Sequence, residues 1–227
     1  RWVSKSWEFV SPRDFLSMVN GDLPIDKDYL LLTFDDGFIS NREVAETVLS
    51  DLGIHAIFFV VSEFVKIKDD IDMRNFVSDK IVPGMDSTHV MDCQGNMNWD
   101  DLAALIKQGH SIGAHTANHA RLSREDDMNL EYEIKSSADE LEAKLGIEVS
   151  CFAYPFADLQ SISERAQQVA SERFSYIFTG WRGKNCDGKN WSIRRDAINP
   201  SDSLFLVGAF LEGSVDWMRR GDIKVYE

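Results

Sequence analysis

The chain has 227 residues, of which 44% are hydrophobic, and a formal net charge of −14. This length and composition suit a folded chain with a substantial core, and no linker or low-complexity stretch divides it, so we predict one domain over residues 1–227. The negative charge argues against nucleic-acid backbones and anionic membranes as general partners, because both need clustered cations.

Strand-like and helical patterns alternate along the chain. Apolar runs predict strands over Tyr29–Phe34, His55–Val61, Ser111–Ala114, Val149–Tyr154, Ser175–Thr179 and Trp191–Arg194. Apolar stripes with start and stop signals predict helices over Asn41–Leu52, Asn98–Lys107, Ser123–Leu145 and Ser161–Ala170. Repeated strand–helix units predict an α/β fold with a parallel sheet, in a barrel-like arrangement whose ligands lie at the carboxyl ends of the strands.

A polar insertion interrupts this alternation at about residues 66–98. It is rich in Gly, Asn and Asp, a composition suited to an excursion over the active face, and we expect it to decide substrate choice.

Two adjacent carboxylates end the first predicted strand, in Thr33-Phe34-Asp35-Asp36-Gly37. One interpretation is an ordinary strand-to-helix turn in which an Asp caps the next helix. The other is a pair that needs a cation or a shared proton. Side chains alternate along a strand, so Asp35 and Asp36 can serve different partners, one a metal and the other a water or substrate.

Two histidines four residues apart follow the predicted strand Ser111–Ala114. On a helical turn, or in a suitable loop, the rings of His115 and His119 would lie together. Two imidazoles and one carboxylate are a usual ligand set of a catalytic zinc, which leaves a fourth position for water. Asp36 would complete this set, and Asp35 would remain free to act as a base.

These motifs resemble those of the polysaccharide deacetylases of the NodB-homology type, carbohydrate esterase family 4. The resemblance runs from about Phe15 to about Leu211 and is carried by Leu31–Phe38, Ala56–Val60, Gly109–His119 and Phe152–Phe156. It implies a distorted (β/α)7-type barrel and an N-acetylated glycan as the substrate. It also implies that Asp35 is the catalytic base, that Asp36, His115 and His119 bind the metal, and that the backbone N–H of Phe156 stabilises the oxyanion. Zinc suits these ligands best, although cobalt, nickel and manganese also suit them.

The chain departs from the family pattern at the arginine that often orients the base. Phe152-Ala153-Tyr154 contains no arginine. Arg194 or Arg195 could supply the charge from elsewhere, but a solvated strand end is the interpretation that the sequence favours for that pair.

A second departure concerns the late histidine that many members use to protonate the leaving amine. All five histidines of this chain lie at or before residue 119. His89, a carboxylic acid such as Asp158, or a group from another chain or segment could replace it; an ordinary loop histidine is the other interpretation of His89. His55 and His110 are interpreted as structural, and the position of His110 near a helix end favours a cation there.

The cysteines and tryptophans are interpreted mainly as structural. Cys151 precedes an apolar run and is expected to be a buried free thiol, whereas Cys93 and Cys186 lie in polar loops. An odd number of cysteines without metal-ligand spacing favours a reducing compartment and a cytoplasmic location. No apolar run approaches the roughly 20 residues of a membrane span, so a soluble protein is expected. Trp181 and Trp191 are expected to be buried rather than to stack on sugars.

The leading hypothesis is a metal-dependent hydrolase that removes N-acetyl groups from amino sugars of a surface polysaccharide or oligosaccharide, such as O-antigen or peptidoglycan. O-deacetylation or deformylation would use the same machinery. The alternative is a glycan-binding module that retains the metal site but has lost efficient catalysis. A third possibility is that the motif is structural and binds no metal.

Overall fold

The computed structural model describes residues 2–84, 95–156, 160–185, 192–199 and 201–214. Within these ranges the strands form two parallel sheets. The smaller sheet pairs β1 (Glu8–Phe9) with β2 (Tyr29–Leu30). The larger sheet contains β3 (Leu32–Phe34), β4 (Ala56–Val60), β5 (Ser111–Ala114), β6 (Cys151–Ala153) and β7 (Tyr176–Phe178). Its strands lie side by side in chain order, and the sheet curls into a half-barrel, which confirms the predicted α/β barrel-like fold.

Helices connect these strands, and three of them contain a π-helical turn. The α-helices are α1 (Pro12–Asn20), α2 (Ile39–Val44), α3 (Ser50–Leu52), α4 (Ser62–Lys66), α5 (Asp70–Phe76), α6 (Trp99–Lys107), α7 (Asp127–Glu131), α8 (Ser137–Leu145), α9 (Glu164–Arg173) and α10 (Leu204–Leu211). The π-helical turns are Ala45–Leu49 between α2 and α3, Val77–Ile81 after α5, and Tyr132–Ser136 between α7 and α8. Short 3-10 helices cover Val3–Lys5 and Leu122–Arg124.

The predicted strand Tyr29–Phe34 is split between the two sheets. Its first half pairs with β1 and its second half with β4, and Leu31 joins the two. The predicted helix start at Asn98 is confirmed, because its side chain accepts hydrogen bonds from the N–H groups of Asp100 and Asp101 in a capping box.

Both faces of the larger sheet are buried, as expected for parallel strands. Every residue of β4 is buried. Phe58 faces the surrounding helices and stacks on Phe34, with 5.0 Å between ring centroids. Phe59 faces the inside of the half-barrel and contacts Phe178, also at 5.0 Å.

The insertion at residues 66–98 carries more structure than its polar composition indicates. It contains α5 and the following π-helical turn, whose Met73, Val77 and Ile81 pack with Phe64 in a small apolar cluster of their own. Residues 85–94, and with them His89, lie outside the described residues.

His110 is structural, as predicted, but it is not favoured as a cation. Its Nδ1 accepts a hydrogen bond from the N–H of Ala56 at 3.1 Å, at the start of β4. Burial, with a smaller contribution from His55, lowers the pKa of His110. The ring therefore serves as a neutral acceptor, because an unprotonated Nδ1 is needed for this bond.

Candidate active site

The candidate site lies where β3, β5 and β6 end. Asp35 and Asp36 follow β3, His115 follows β5, and the Tyr154–Phe156 turn follows β6. Because the carboxyl ends of parallel strands meet at one edge of the sheet, the motifs converge there. The chain leaves β3 sharply: Asp36 has φ 73°, in the left-handed region, and Gly37 has φ 104°.

Asp36, His115 and His119 form a compact group of metal-binding atoms. Asp36 Oδ1 lies 3.5 Å from His115 Nε2 and 3.4 Å from His119 Nε2. One donor atom from each residue lies within 4.8 Å of the others, in the only such group of three among the described residues. Tetrahedral ligands at zinc bond lengths of about 2.0–2.1 Å are separated by about 3.4 Å, so the two short spacings fit a zinc-sized ion.

Backbone carbonyls fix the tautomers of both histidines. His115 Nδ1 donates to the carbonyl of Ala153, and His119 Nδ1 donates to the carbonyl of Lys80, both at 2.8 Å. Each Nε2 is thereby left with a lone pair that is directed towards Asp36, as metal-binding imidazoles require. Lys80 belongs to the insertion, so that segment supports the site from behind His119.

The surroundings shift the pKa values of the two histidines in opposite directions. Burial, together with the neighbouring His115, lowers the pKa of His119 to about 4, so this ring is neutral at ordinary pH. Burial also opposes protonation of His115, but the carboxylates of Asp35 and Asp36 outweigh it and raise its pKa. A divalent cation would replace that proton between the carboxylates and His115.

Asp35 is held by Arg195, for which the sequence favours a solvated strand end. That interpretation is wrong. Arg195 Nη1 donates to Asp35 Oδ1 at 2.6 Å, and Nη2 donates to Oδ2 at 2.9 Å. Burial alone would raise the pKa of Asp35, but the Arg195 guanidinium, His115 and the hydrogen bonds from Arg195 lower it below its usual value. The carboxylate is therefore kept ionised.

Arg195 is itself fixed on several sides. Its Nε donates to the Thr179 carbonyl at 3.0 Å, and its Nη1 also donates to Thr33 Oγ1 at 3.2 Å. Its guanidinium carbon lies 5.2 Å from the centre of the Phe59 ring. Only 13% of the side chain is exposed. The one sequence signal for this role was the missing arginine of the Phe152–Phe156 motif, which made a substitute elsewhere necessary.

The ring of Phe156 lies beside that of His119. The centroids of the Phe156 and His119 rings are 4.5 Å apart. The guanidinium carbon of Arg121 lies 4.4 Å from the centroid of the Phe156 ring. Its φ of 61° places the backbone in the left-handed region, which is uncommon for a bulky residue. Such strain is retained where surrounding structure enforces it, often at functional sites.

Two further predicted residues, Trp181 and Cys151, are buried. Trp181 is 9% exposed, which confirms its burial, and its carbonyl accepts from the N–H of Arg195 at 3.0 Å. Cys151 is confirmed as a buried free thiol. Outside the described residues lie His89, Asp158, Trp191, Cys93 and Cys186. Among the described residues, no helix has the length and apolar character needed to cross a membrane.

The sequence model of the polysaccharide deacetylase family matches residues 23–173 of this chain. The chain belongs to this family. It is therefore a deacetylase, a hydrolase, and this membership supports the enzyme hypothesis over the binding module. No curated protein matches the chain.

Solved structures show the same fold. The Streptococcus pyogenes deacetylase PplD in complex with acetate aligns with a TM-score of 0.71 at 20% identity, over 92% of this chain and 81% of that one. IcaB from Ammonifex degensii aligns with a TM-score of 0.69 at 21% identity, over 92% and 84%. A de-N-acetylase from Aggregatibacter actinomycetemcomitans aligns with a TM-score of 0.71 at 15% identity, over 92% and 85%. These alignments confirm the NodB-like fold.

Proposed function

We propose that this deacetylase removes N-acetyl groups from amino sugars of a surface polysaccharide or oligosaccharide, such as O-antigen or peptidoglycan, with one divalent metal ion. The observation that carries the proposal is the placement of Asp36, His115 and His119 at metal-ligand spacing beside an ionised Asp35. One neighbour in fold, the enzyme from Aggregatibacter actinomycetemcomitans, is a de-N-acetylase, which supports N-acetyl as the acyl group.

Asp36, His115 and His119 would hold the ion, with zinc as the first choice and cobalt, nickel and manganese as other metals that suit these ligands. When bound, the ion would polarise the acyl carbonyl and lower the pKa of water. The rings of His115 and His119 are already oriented for metal binding, because backbone carbonyls accept hydrogen bonds from both Nδ1 atoms.

Asp35 would take the proton of the attacking water as a general base. Its Oδ2 lies 4.0 Å from His115 Nε2, so base and ligands border the same space. Arg195 binds both carboxylate oxygens and so orients Asp35, while Oδ2 retains further lone pairs for a water.

Phe156 would supply a backbone N–H to the oxyanion. Pro155 restricts the preceding backbone, and the left-handed φ of Phe156 sets the direction of the turn. Such a donor stabilises the oxyanion because its position is fixed before the reaction begins, so no reorganisation is needed.

The leaving amine also needs a proton. General acid catalysis contributes roughly 10²- to 10⁴-fold, so a replacement for the late histidine is expected. We propose His89 as the first candidate, because it belongs to the insertion whose Lys80 carbonyl accepts from His119, and Asp158 as the second, because it follows Phe156 by two residues in the sequence. Substituting each with Ala and measuring acetate release as a function of pH tests the choice, since loss of the acid removes the basic limb of the profile.

The test of the function is acetate release from a panel of N-acetylated oligosaccharides by protein loaded with one equivalent of zinc. Asp35→Asn is the matched control, because it keeps the three ligands. Release by the wild type and not by Asp35→Asn would support the proposal. Zinc binding without release from any substrate would contradict it, and glycan binding in that experiment would favour the binding module suggested by the absent late histidine.

A further inference from the structure

The loop that joins the two histidine ligands has a strained backbone. Thr116 has φ 65° and His119 has φ 55°, and both are non-glycine residues in the left-handed region. Such conformations persist only where the surroundings hold them. The Lys80 carbonyl holds the His119 ring directly, and the position of the His119 backbone depends on what fixes the short segment between the two residues.

A buried carboxylate holds this segment from one side. Glu133, which is 6% exposed, lies in the π-helical turn between α7 and α8. Its Oε2 accepts from the backbone N–H of Asn118, and its Oε1 accepts from Asn118 Nδ2, both at 2.8 Å. Its backbone carbonyl accepts from the N–H of Ala117 at 3.0 Å. These hydrogen bonds end one residue before His119.

The other side of the segment is held by the start of α4. The N–H groups of Ser62 and Glu63 donate to the carbonyls of Thr116 and Ala117 at 3.3 and 2.9 Å. These bonds fix Thr116 and Ala117. Asn118 is held by Glu133, and His119 follows it directly in the chain. On the other side of His119, the N–H of Ala120 donates to Thr116 Oγ1 at 3.3 Å.

The chemistry of Glu133 also argues for a specific role. A buried carboxylate loses hydration, and a well-packed apolar residue often replaces such a group without loss of stability. Here both oxygens bind one residue, the neighbour of a ligand. π-Helical turns, which re-aim side chains on a helix, are often found at functional sites.

We propose that Glu133 is a positioning residue of the metal site, which fixes His119 through Asn118. This inference rests on the proposed metal site and adds to it a residue that touches neither the ligand atoms nor the substrate. Removing such support from a ligand lowers metal affinity by roughly 10- to 100-fold.

A charge exchange tests the proposal. Asn118→Asp places a carboxylate against Glu133 and removes the Nδ2 donor. Combining it with Glu133→Gln restores both bonds, because the Gln carbonyl accepts from the backbone N–H of residue 118 while its amide donates to the new carboxylate. The net charge of the double variant equals that of the wild type.

Zinc affinity is measured by competition with a chromophoric chelator, and the ligand geometry by the visible absorption bands of the cobalt-loaded protein. Asn118→Asp is expected to weaken zinc binding by about 10- to 100-fold and to shift the cobalt bands, and the double variant to recover both. Glu131→Gln, a half-buried position in α7 that pairs with Lys135, is the matched control and should change neither.

Unfolding of the metal-free variants separates positioning from a general structural role. If Asn118→Asp is less stable but binds zinc with wild-type affinity and an unchanged cobalt spectrum, the proposal is overturned. If Asn118→Asp does not fold, Asn118→Ala, which removes only the side-chain bond, should still weaken zinc binding, and wild-type affinity in that variant overturns the proposal. A wild-type protein that binds neither zinc nor cobalt would instead refute the metal site itself.

Discussion

Replacing Arg195 should disable the base without removing the metal. In Arg195→Ala, Asp35 loses two hydrogen bonds of 2.6 and 2.9 Å and the adjacent positive charge. We expect kcat/KM for acetate release to fall strongly, while zinc affinity stays near that of the wild type because no ligand contacts Arg195 through a hydrogen bond in the described residues.

The size of the loss follows from these bonds. A hydrogen bond to a charged group contributes about 1.5–3 kcal/mol. Because 34% of the Asp35 side chain is exposed, the lower end applies to each of the two bonds, for a total of about 3 kcal/mol. At 1.36 kcal/mol for each factor of ten, this free energy sets an upper limit of about 10²-fold on the loss in kcat/KM, reached if all of it serves to orient Asp35 in the transition state.

The pH profile should change in a defined direction. The lowered pKa of Asp35 keeps the base ionised, and loss of Arg195 raises that pKa. The acid limb of kcat/KM should therefore move to higher pH. Arg195→Lys should lose part of the activity, because a single ammonium cannot bind both oxygens as the guanidinium does.

Two controls make the outcome decisive. Arg194→Ala removes a neighbouring positive charge while the hydrogen bonds of Arg195 remain in place, and it should retain activity. Added guanidinium should partly restore activity to Arg195→Ala, because it can occupy the vacated space beside Asp35. Wild-type kcat/KM with an unmoved acid limb in Arg195→Ala would refute the reasoning.

Three further changes test the site and the fold. Asp36→Asn should weaken zinc binding by more than the roughly 10- to 100-fold cost of losing an outer partner, as measured by equilibrium dialysis, and unchanged affinity would contradict the ligand assignment. In Gly113→Ala the new Cβ would lie 2.5 and 2.6 Å from ring atoms of Phe59. The free energy of unfolding in urea should therefore fall by about 1–3 kcal/mol. A urea midpoint equal to that of the wild type would contradict this and show that the Phe59 ring can move aside. Burial raises the pKa of the Cys151 thiol to about 12. In a variant whose other two cysteines are replaced by Ser, Cys151 should therefore resist thiol reagents at pH 8 until the protein unfolds. Fast labelling of the folded protein would contradict its burial.

The sequence predicted the parts of the site that are local in the chain. Asp35 and Asp36 end an apolar strand, and His115 follows another, so each motif carries its own structural context. Parallel strands place their carboxyl ends together, so the approach of Asp36 to His115 followed from strand order, and the four-residue spacing added His119 to the predicted set.

The parts that were missed depend on contacts between distant residues. Arg195 lies 160 positions from Asp35, and only the curl of the sheet brings them together. The acceptor for His119 is a backbone carbonyl at Lys80, and such a group has no signature in the amino-acid sequence. The polar composition of the insertion also concealed α5, because its apolar side packs on a cluster separate from the main core.

The position of Arg195 shows that a side chain from a distant part of the chain can reach this site. Arg195 lies two residues after Ile193, which forms a parallel bridge with Phe178 of β7, so the guanidinium reaches Asp35 from beyond the last strand of the larger sheet. The arginine that the family motif often places near the end of β6 is absent here, and Arg195 at a neighbouring strand end binds Asp35 instead, which is possible because all these ends face one space. A replacement for the acid can come from a distant segment in the same way, in addition to a group from another chain or segment. His89 follows β4 and Asp158 follows β6, which makes these two residues the first to substitute.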